Sequence, residues 1–125
     1  MKVVGLDHIV LNVADVERSL AWYVEMVGLA GVRVDEWRAK QVFFPSVRVD
    51  AGTIIDLLET PPTGANMDHL CLVVSRSDVD AIVADDRFMV IDGPGTRYGA
   101  RGDGWSVYVK DPDGNTVEFR SYGEQ

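Results

Sequence analysis

The sequence holds two histidines in 125 residues, and both stand in the same setting. LDHIVLNV, residues 6–13, and MDHLCLVV, residues 67–74, each put an Asp-His pair at the head of an apolar, strand-like run. A second match lies near the end of each half. GTIIDLL starts at Gly52 and GNTVEFR at Gly114, and aligning the glycines pairs Asp56 with Glu118. His8 and His69 are 61 residues apart, and Asp56 and Glu118 are 62 apart. Self-similarity at a fixed period marks a duplicated unit. Each half therefore delivers one imidazole on its first strand and one carboxylate on its last.

Strand alternation tests whether the four can face one place. In the first run, His8 shares a face with Leu6, Val10 and Asn12, while Ile9, Leu11 and Val13 make an apolar opposite face. Asp56 lies with Ile54 and Leu58 against Ile55 and Leu57, and Glu118 lies with Thr116 and Arg120 against Val117 and Phe119. The apolar side of each strand suits a helix, and the candidate residue always lies on the other side. Glu59 alternates away from Asp56. A carboxylate on a pocket-facing position is costly to bury unless it is paired or metal-bound. Two imidazoles and two carboxylates make a mixed N/O set that suits one divalent metal ion: Zn²⁺, Ni²⁺, Fe²⁺, Mn²⁺ or Co²⁺. With four protein ligands an octahedral ion keeps two positions for water or substrate.

The elements that must position these residues repeat as well. Asp15 reads as an N-cap for a helix in VERSLAWYVEMVG, where Val16, Leu20, Tyr23, Val24 and Val27 have helical spacing and Gly28 supplies the stop. Strands are expected over 31–38, 41–49 and 53–58. TPPTG, residues 60–64, reads as a connection. The plan then restarts with a strand over 68–74, a helix over 78–84 capped by Ser77, and strands over 88–91, 105–110 and 116–120. DPDGN, residues 111–115, is a hairpin turn signal.

Between Gly93 and Gly104 lies GPGTRYGARGDG, which reads as a mobile loop. Arg97 and Arg101 suit a substrate carboxylate or phosphate, with Tyr98 packing on the substrate and the loop closing as a lid. The alternative is a solvated loop with scattered charge. Trp37, Phe43 and Trp105 are candidates either for pocket lining or for core.

Composition bounds the class. The length suits one domain, 46% of residues are apolar, and net charge is -8. Polyanions would not be attracted, which argues against nucleic acid and anionic membranes as partners. No stretch approaches the ~20 apolar residues of a membrane helix. The single cysteine, Cys71, excludes an internal disulfide and reads as a small buried hydrophobe. A cytoplasmic location is expected.

LDHIVLNVADVERSLAWYVEMVGL, DHLCLVV and VKDPDGNTVEF resemble the vicinal oxygen chelate superfamily, which contains glyoxalase I, methylmalonyl-CoA epimerase, extradiol dioxygenases, fosfomycin-resistance enzymes and bleomycin-binding proteins. The resemblance covers nearly the whole chain. It implies an α+β fold of two βαβββ modules, about 4–60 and 66–122 within one domain of 1–125. Their curled mixed sheet would surround a shared cavity, with helices outside. It further implies metal ligands at His8, Asp56, His69 and Glu118, a small-molecule substrate and a homodimer. The four-ligand set favours the glyoxalase and epimerase branch, with Glu118 as base as well as ligand. Asp56 is one methylene shorter than the Glu or Gln usual there. Without it the set becomes two His and one Glu, which suits an Fe- or Mn-dependent ring-cleaving dioxygenase. A metal-free, drug-sequestering protein of the bleomycin-resistance type is the third alternative. A glutathione-type substrate would need cationic anchors, for which Arg33, Arg38, Arg48 and Arg120 are available.

Overall fold

Among the described residues, alternating and helical patterns resolve into a mixed eight-stranded sheet with three short α-helices, an α+β fold. The computed structural model describes residues 1–26, 28–64, 66–110 and 116–123. Val27 and the 111–115 turn signal lie outside the described residues. The chain forms two compact units, Met1–His8 with His69–Gln125, and Ile9–Asp68. Strand β1 (Gly5–Val13) contributes its first residues to one unit and its remainder to the other.

In the Ile9–Asp68 unit, Asp15 caps α1 (Val16–Leu20) as expected, its carboxylate accepting from the Arg18 amide at 3.1 Å. The helix widens to π geometry over Ala21–Met26, and Gly28 follows with φ of 91°. Three antiparallel strands come next: β2 (Ala30–Val32), β3 (Ser46–Asp50) and β4 (Thr53–Glu59). Val16 and Leu20 of the helix pack on Val47 and Leu57, with Leu11, Val13 and Ile55 around them. The apolar faces read from β1 and β4 do meet a helix.

The expected strand over 31–38 is instead a three-residue strand followed by α2 (Val34–Arg38). Arg33 takes the left-handed conformation, φ 59°, which breaks extended pairing and turns the chain into the helix. The strand expected from 41 begins only at Ser46, and Phe43 is almost wholly exposed.

In the other unit, β5 (Met67–Val73) runs parallel to β8 (Thr116–Ser121). Strand β8 pairs antiparallel with β7 (Gly102–Lys110), and β7 with β6 (Met89–Gly99). Helix α3 (Arg76–Ala84) lays Val79 and Ile82 on Val74, Val107, Val109 and Phe119. Trp105 joins this core, with the Arg76 guanidinium 4.5 Å above its ring.

The glycine-rich stretch expected as a mobile loop is most of the β6–β7 hairpin, with Thr96 opposite Trp105 and Gly99 opposite Gly102. Its glycines serve space more than motion. A Cβ at Gly99 would collide with the Arg120 guanidinium and lie 2.6 Å from Asp7 Oδ2, and one at Gly104 would lie 3.2 Å from Arg120 Cγ. Composition alone signals a loop here because the bulky neighbour that needs the room is distant in sequence.

Among the described residues no helix is long and apolar enough to cross a membrane.

Helix α3 is capped by Ser75, whose hydroxyl accepts from the Asp78 amide, and not by Ser77 as the sequence suggests. Ser75→Ala is therefore expected to cost about 1 kcal/mol in urea denaturation. Ser77→Ala, which removes only an exposed hydroxyl contact with Ser75, should cost clearly less.

Candidate metal centre

His8 and His69 point their Nε2 atoms at each other from β1 and β5, 3.0 Å apart. Glu118, on β8, completes the group: its Oε1 lies 3.2 Å from His8 Nε2 and 3.1 Å from His69 Nε2. The three atoms form a nearly equilateral triangle. Around a six-coordinate ion with bonds of about 2.1 Å, neighbouring ligand atoms stand about 3.0 Å apart, against about 3.4 Å around a tetrahedral one. The triangle matches one face of an octahedron. Glu118 Oε1 is also buried and makes no hydrogen bond of ordinary geometry, so its lone pairs converge with the imidazole nitrogens without being consumed.

A surrounding group of side chains sets the orientations of His8 and Glu118. Asp7 accepts from His8 Nδ1 at 2.8 Å, leaving Nε2 to face the triangle. The same carboxylate accepts from the Ala100 amide at 3.2 Å and from the Tyr122 hydroxyl. On the other side Arg120 holds Glu118 Oε2 with Nε at 3.2 Å and Nη2 at 3.0 Å. The guanidinium also donates to the Tyr98 carbonyl at 2.9 Å, the Gly102 carbonyl at 3.3 Å and the Tyr122 oxygen at 3.3 Å. Asp7, Glu118 and Arg120 are each fully buried.

Charge follows from this. Removing an ion from water costs on the order of several kcal/mol even when the surroundings relax. Two buried carboxylates face one buried guanidinium, leaving a net single negative charge that a proton on His8 or a cation at the triangle neutralises. Burial alone would lower His8, but Asp7, Cys71 and Glu118 raise it to about 12. Burial works to raise Glu118, yet both histidines and Arg120 hold it well below the usual carboxylate range. Asp7 is likewise lowered against burial by His8, Tyr122 and Ala100. Burial pushes the Cys71 thiol up to about 12, the state of an inert core cysteine. Tyr108 pairs with Glu118 across β7 and β8, and its ring stands edge-on to His69 with centroids 5.5 Å apart. Burial and the Glu118 charge keep its phenol protonated.

Three of the four expected ligands, His8, His69 and Glu118, thus come together. Asp56 belongs to the other unit, where its buried carboxylate accepts from the Ser46 hydroxyl at 2.6 Å. Among the residues expected at the substrate, Tyr98 gives its carbonyl to Arg120 and Trp105 packs in the core. Arg97 donates to the Thr96 carbonyl and to Asp92, and Arg101 lies 4.8 Å above the Tyr122 ring. Sequence reasoning did not assign roles to Asp7, Tyr108 or Tyr122. Asp7 was in plain view in the Asp-His repeat, but its counterpart Asp68 is exposed. Nothing in the repeat says which of the two is structural. Arg120 was available as a substrate anchor; its guanidinium is instead turned inward onto Glu118.

Lowered carboxylates bind fewer protons folded than unfolded, so their stabilisation is present above the ordinary carboxylate range and is lost as pH falls through it. Stability should fall between about pH 5 and pH 3. Asp7→Asn should cost about 3 kcal/mol at neutral pH and flatten that acid limb, read from urea midpoints at the two pH values.

The glyoxalase/bleomycin resistance protein/dioxygenase superfamily model matches residues 5–119. The chain is 30% identical to the virulence protein STM3117 of Salmonella typhimurium over 122 residues, 94% of this chain and 83% of that one. It is 31% identical to the glyoxalase domain-containing protein RDO1 of Mycosarcoma maydis over 127 residues, covering 98% and 70%. Its fold is similar to the Mn(II)-bound glyoxalase of Novosphingobium aromaticivorans, with a TM-score of 0.70 at 20% identity over 99% of this chain and 42% of that one. With its strand order, its repeat and a family match across nearly its whole length, the chain belongs to the glyoxalase/bleomycin resistance protein/dioxygenase superfamily.

Proposed function

We propose that this chain is a metal-dependent enzyme of the glyoxalase type. One divalent ion (Zn, Ni, Fe, Mn or Co) would be held by His8, His69 and Glu118, and a small substrate with two neighbouring oxygens would undergo proton transfer there. The observation that carries the reading is the triangle of His8 Nε2, His69 Nε2 and Glu118 Oε1, with sides of 3.0–3.2 Å. The Mn(II) in the structurally similar Novosphingobium glyoxalase supports a metal in this fold. When bound, the ion supplies Lewis-acid stabilisation of an oxyanion developing on the substrate.

The chain's own groups divide the remaining work. Asp7 fixes the His8 ring by its Nδ1 proton. Glu118 Oε1 is the oxygen placed to hold the ion or take up the proton. The protonated Tyr108 phenol is a donor beside it. Arg97 and Arg101 are proposed as the cationic contacts for an anionic substrate, with the Tyr98 side chain beside them.

A second reading has its own support. Two histidines and one carboxylate within a single unit are the ligand set of iron oxygenases, so a ring-cleaving dioxygenase is the runner-up. A drug-sequestering pocket has no use for three convergent ligands.

Elemental analysis of untagged protein beside a His69→Ala variant is the deciding measurement. One equivalent of a divalent transition metal is expected in the wild type and background in the variant. Turnover of α-hydroxycarbonyl thiol adducts with nickel, zinc or cobalt supports proton transfer, whereas oxygen uptake with catechols and iron or manganese would replace it by ring cleavage. Absence of metal after reconstitution with each ion would sink both enzyme readings.

A further inference from the structure

The triangle uses one oxygen of Glu118, and the structure accounts for the other. Oε2 receives two hydrogen bonds from Arg120, whose remaining donors are spent on the Tyr98 and Gly102 carbonyls and the Tyr122 oxygen. We infer that Arg120 is a positioning residue that confines Glu118 to a single oxygen, Oε1, and prevents its carboxylate from turning or offering both oxygens at once. This rests on the reading of His8, His69 and Glu118 as a metal centre.

Three features argue that the arrangement is built. Arg120 has no exposure, so its guanidinium cannot trade Glu118 for water. It follows Glu118 by two positions on β8, which puts both side chains on one face of the strand. The slot it fills is cleared by glycine, since a Cβ at Gly99 would collide with Nη1 and one at Gly104 would lie 3.3 Å from it. The repeat supplies an internal contrast. Sixty-two residues before Arg120 stands Leu58, so the first copy carries an apolar side chain where the second carries a guanidinium. A pinned carboxylate has a definite consequence: any proton Glu118 accepts must go to Oε1, the same atom that would face the ion.

The test uses the full chain reconstituted with Co²⁺, in wild type, Arg120→Gln, Arg120→Lys and Gly99→Ala forms. Affinity is read by competition with a chromogenic chelator, and the ligand field by visible absorption. Arg120→Gln is expected to bind Co²⁺ about 10–100-fold more weakly, the usual effect of losing a partner of a metal ligand. Its absorption bands should also shift as Glu118 becomes able to offer a second oxygen. Arg120→Lys, which keeps the charge and a donor, should recover part of both. Gly99→Ala, which keeps the arginine but takes its space, should move the bands in the same direction as Arg120→Gln. If Arg120→Gln does not fold by circular dichroism, the lysine and alanine variants carry the same comparison. Wild-type affinity and spectrum in the variants would overturn the positioning role while leaving the metal centre intact. Weaker binding with unchanged bands and no recovery by lysine would also overturn it, reducing Arg120 to a stability residue. Folded wild type that takes up no Co²⁺ would overturn the metal reading and this inference together.

Discussion

A guanidinium with no access to water must find every acceptor it needs inside the protein. Arg120 finds them in one carboxylate, two backbone carbonyls and one phenol oxygen, drawn from β8, both strands of the β6–β7 hairpin and the segment just after β8. Leaving such a charge unsatisfied costs more than any single packing contact recovers. The hairpin therefore closes on the guanidinium, with glycine at the positions nearest it. Tyr122 extends the network to Asp7 and Asp7 extends it to His8. Residues 7–8 and 98–122 are held in one hydrogen-bonded network, and the His8 imidazole is aimed as a by-product of satisfying it.

Duplication placed the histidines, but it did not duplicate their surroundings. Ser46 and Tyr108 stand 62 residues apart, as do Asp56 and Glu118 and also Leu58 and Arg120. The register matches as well, with Ser46 opposite Asp56 and Tyr108 opposite Glu118. At each of these equivalent places the residue types have diverged. In one unit a short carboxylate is held by a hydroxyl at 2.6 Å. In the other a longer carboxylate is held by a guanidinium and flanked by a phenol. Asp68 is exposed where Asp7 is buried, so the two copies of the Asp-His pair stand in different surroundings.

How far the sequence could be read follows from which information is local. Alternation in β1, β4, β5 and β8, the Asp15 cap and the carboxylate alignment are properties of short windows. They placed three candidate ligands on strands that bring them together. Residues 31–38 misled because VRVDEWR alternates well enough for a strand, while the left-handed turn at Arg33 carries no compositional mark. The second cap went to Ser77 in place of Ser75 because either serine precedes an acidic residue by three, and only the helix start separates them. The glycines of residues 93–104 misled for the opposite reason. The need for space at Gly99 and Gly104 is set by Arg120, a residue outside the stretch, and no window that short contains it. The positions most distant in sequence, Asp7 and Tyr122, were the least legible for the same cause.

Fixing Glu118 through Oε2 affects more than its direction. Two charge-assisted hydrogen bonds draw electron density from the carboxylate and keep it ionised. A carboxylate so occupied gives less charge to whatever its other oxygen touches, which would leave a cation held at Oε1 more electron-poor and a better acceptor of substrate oxygens. It also makes Glu118 a weaker base than a free carboxylate, so in the proposed reaction proton uptake there would have to be driven by the strength of the substrate's acid and not by the affinity of the residue. Chelation of two adjacent oxygens is one means of making that acid strong. The buried ring of Asp7, Tyr122 and Arg120 thus favours the division that the proposed proton transfer would need: acidity raised on the substrate, and a base held in place more than made powerful.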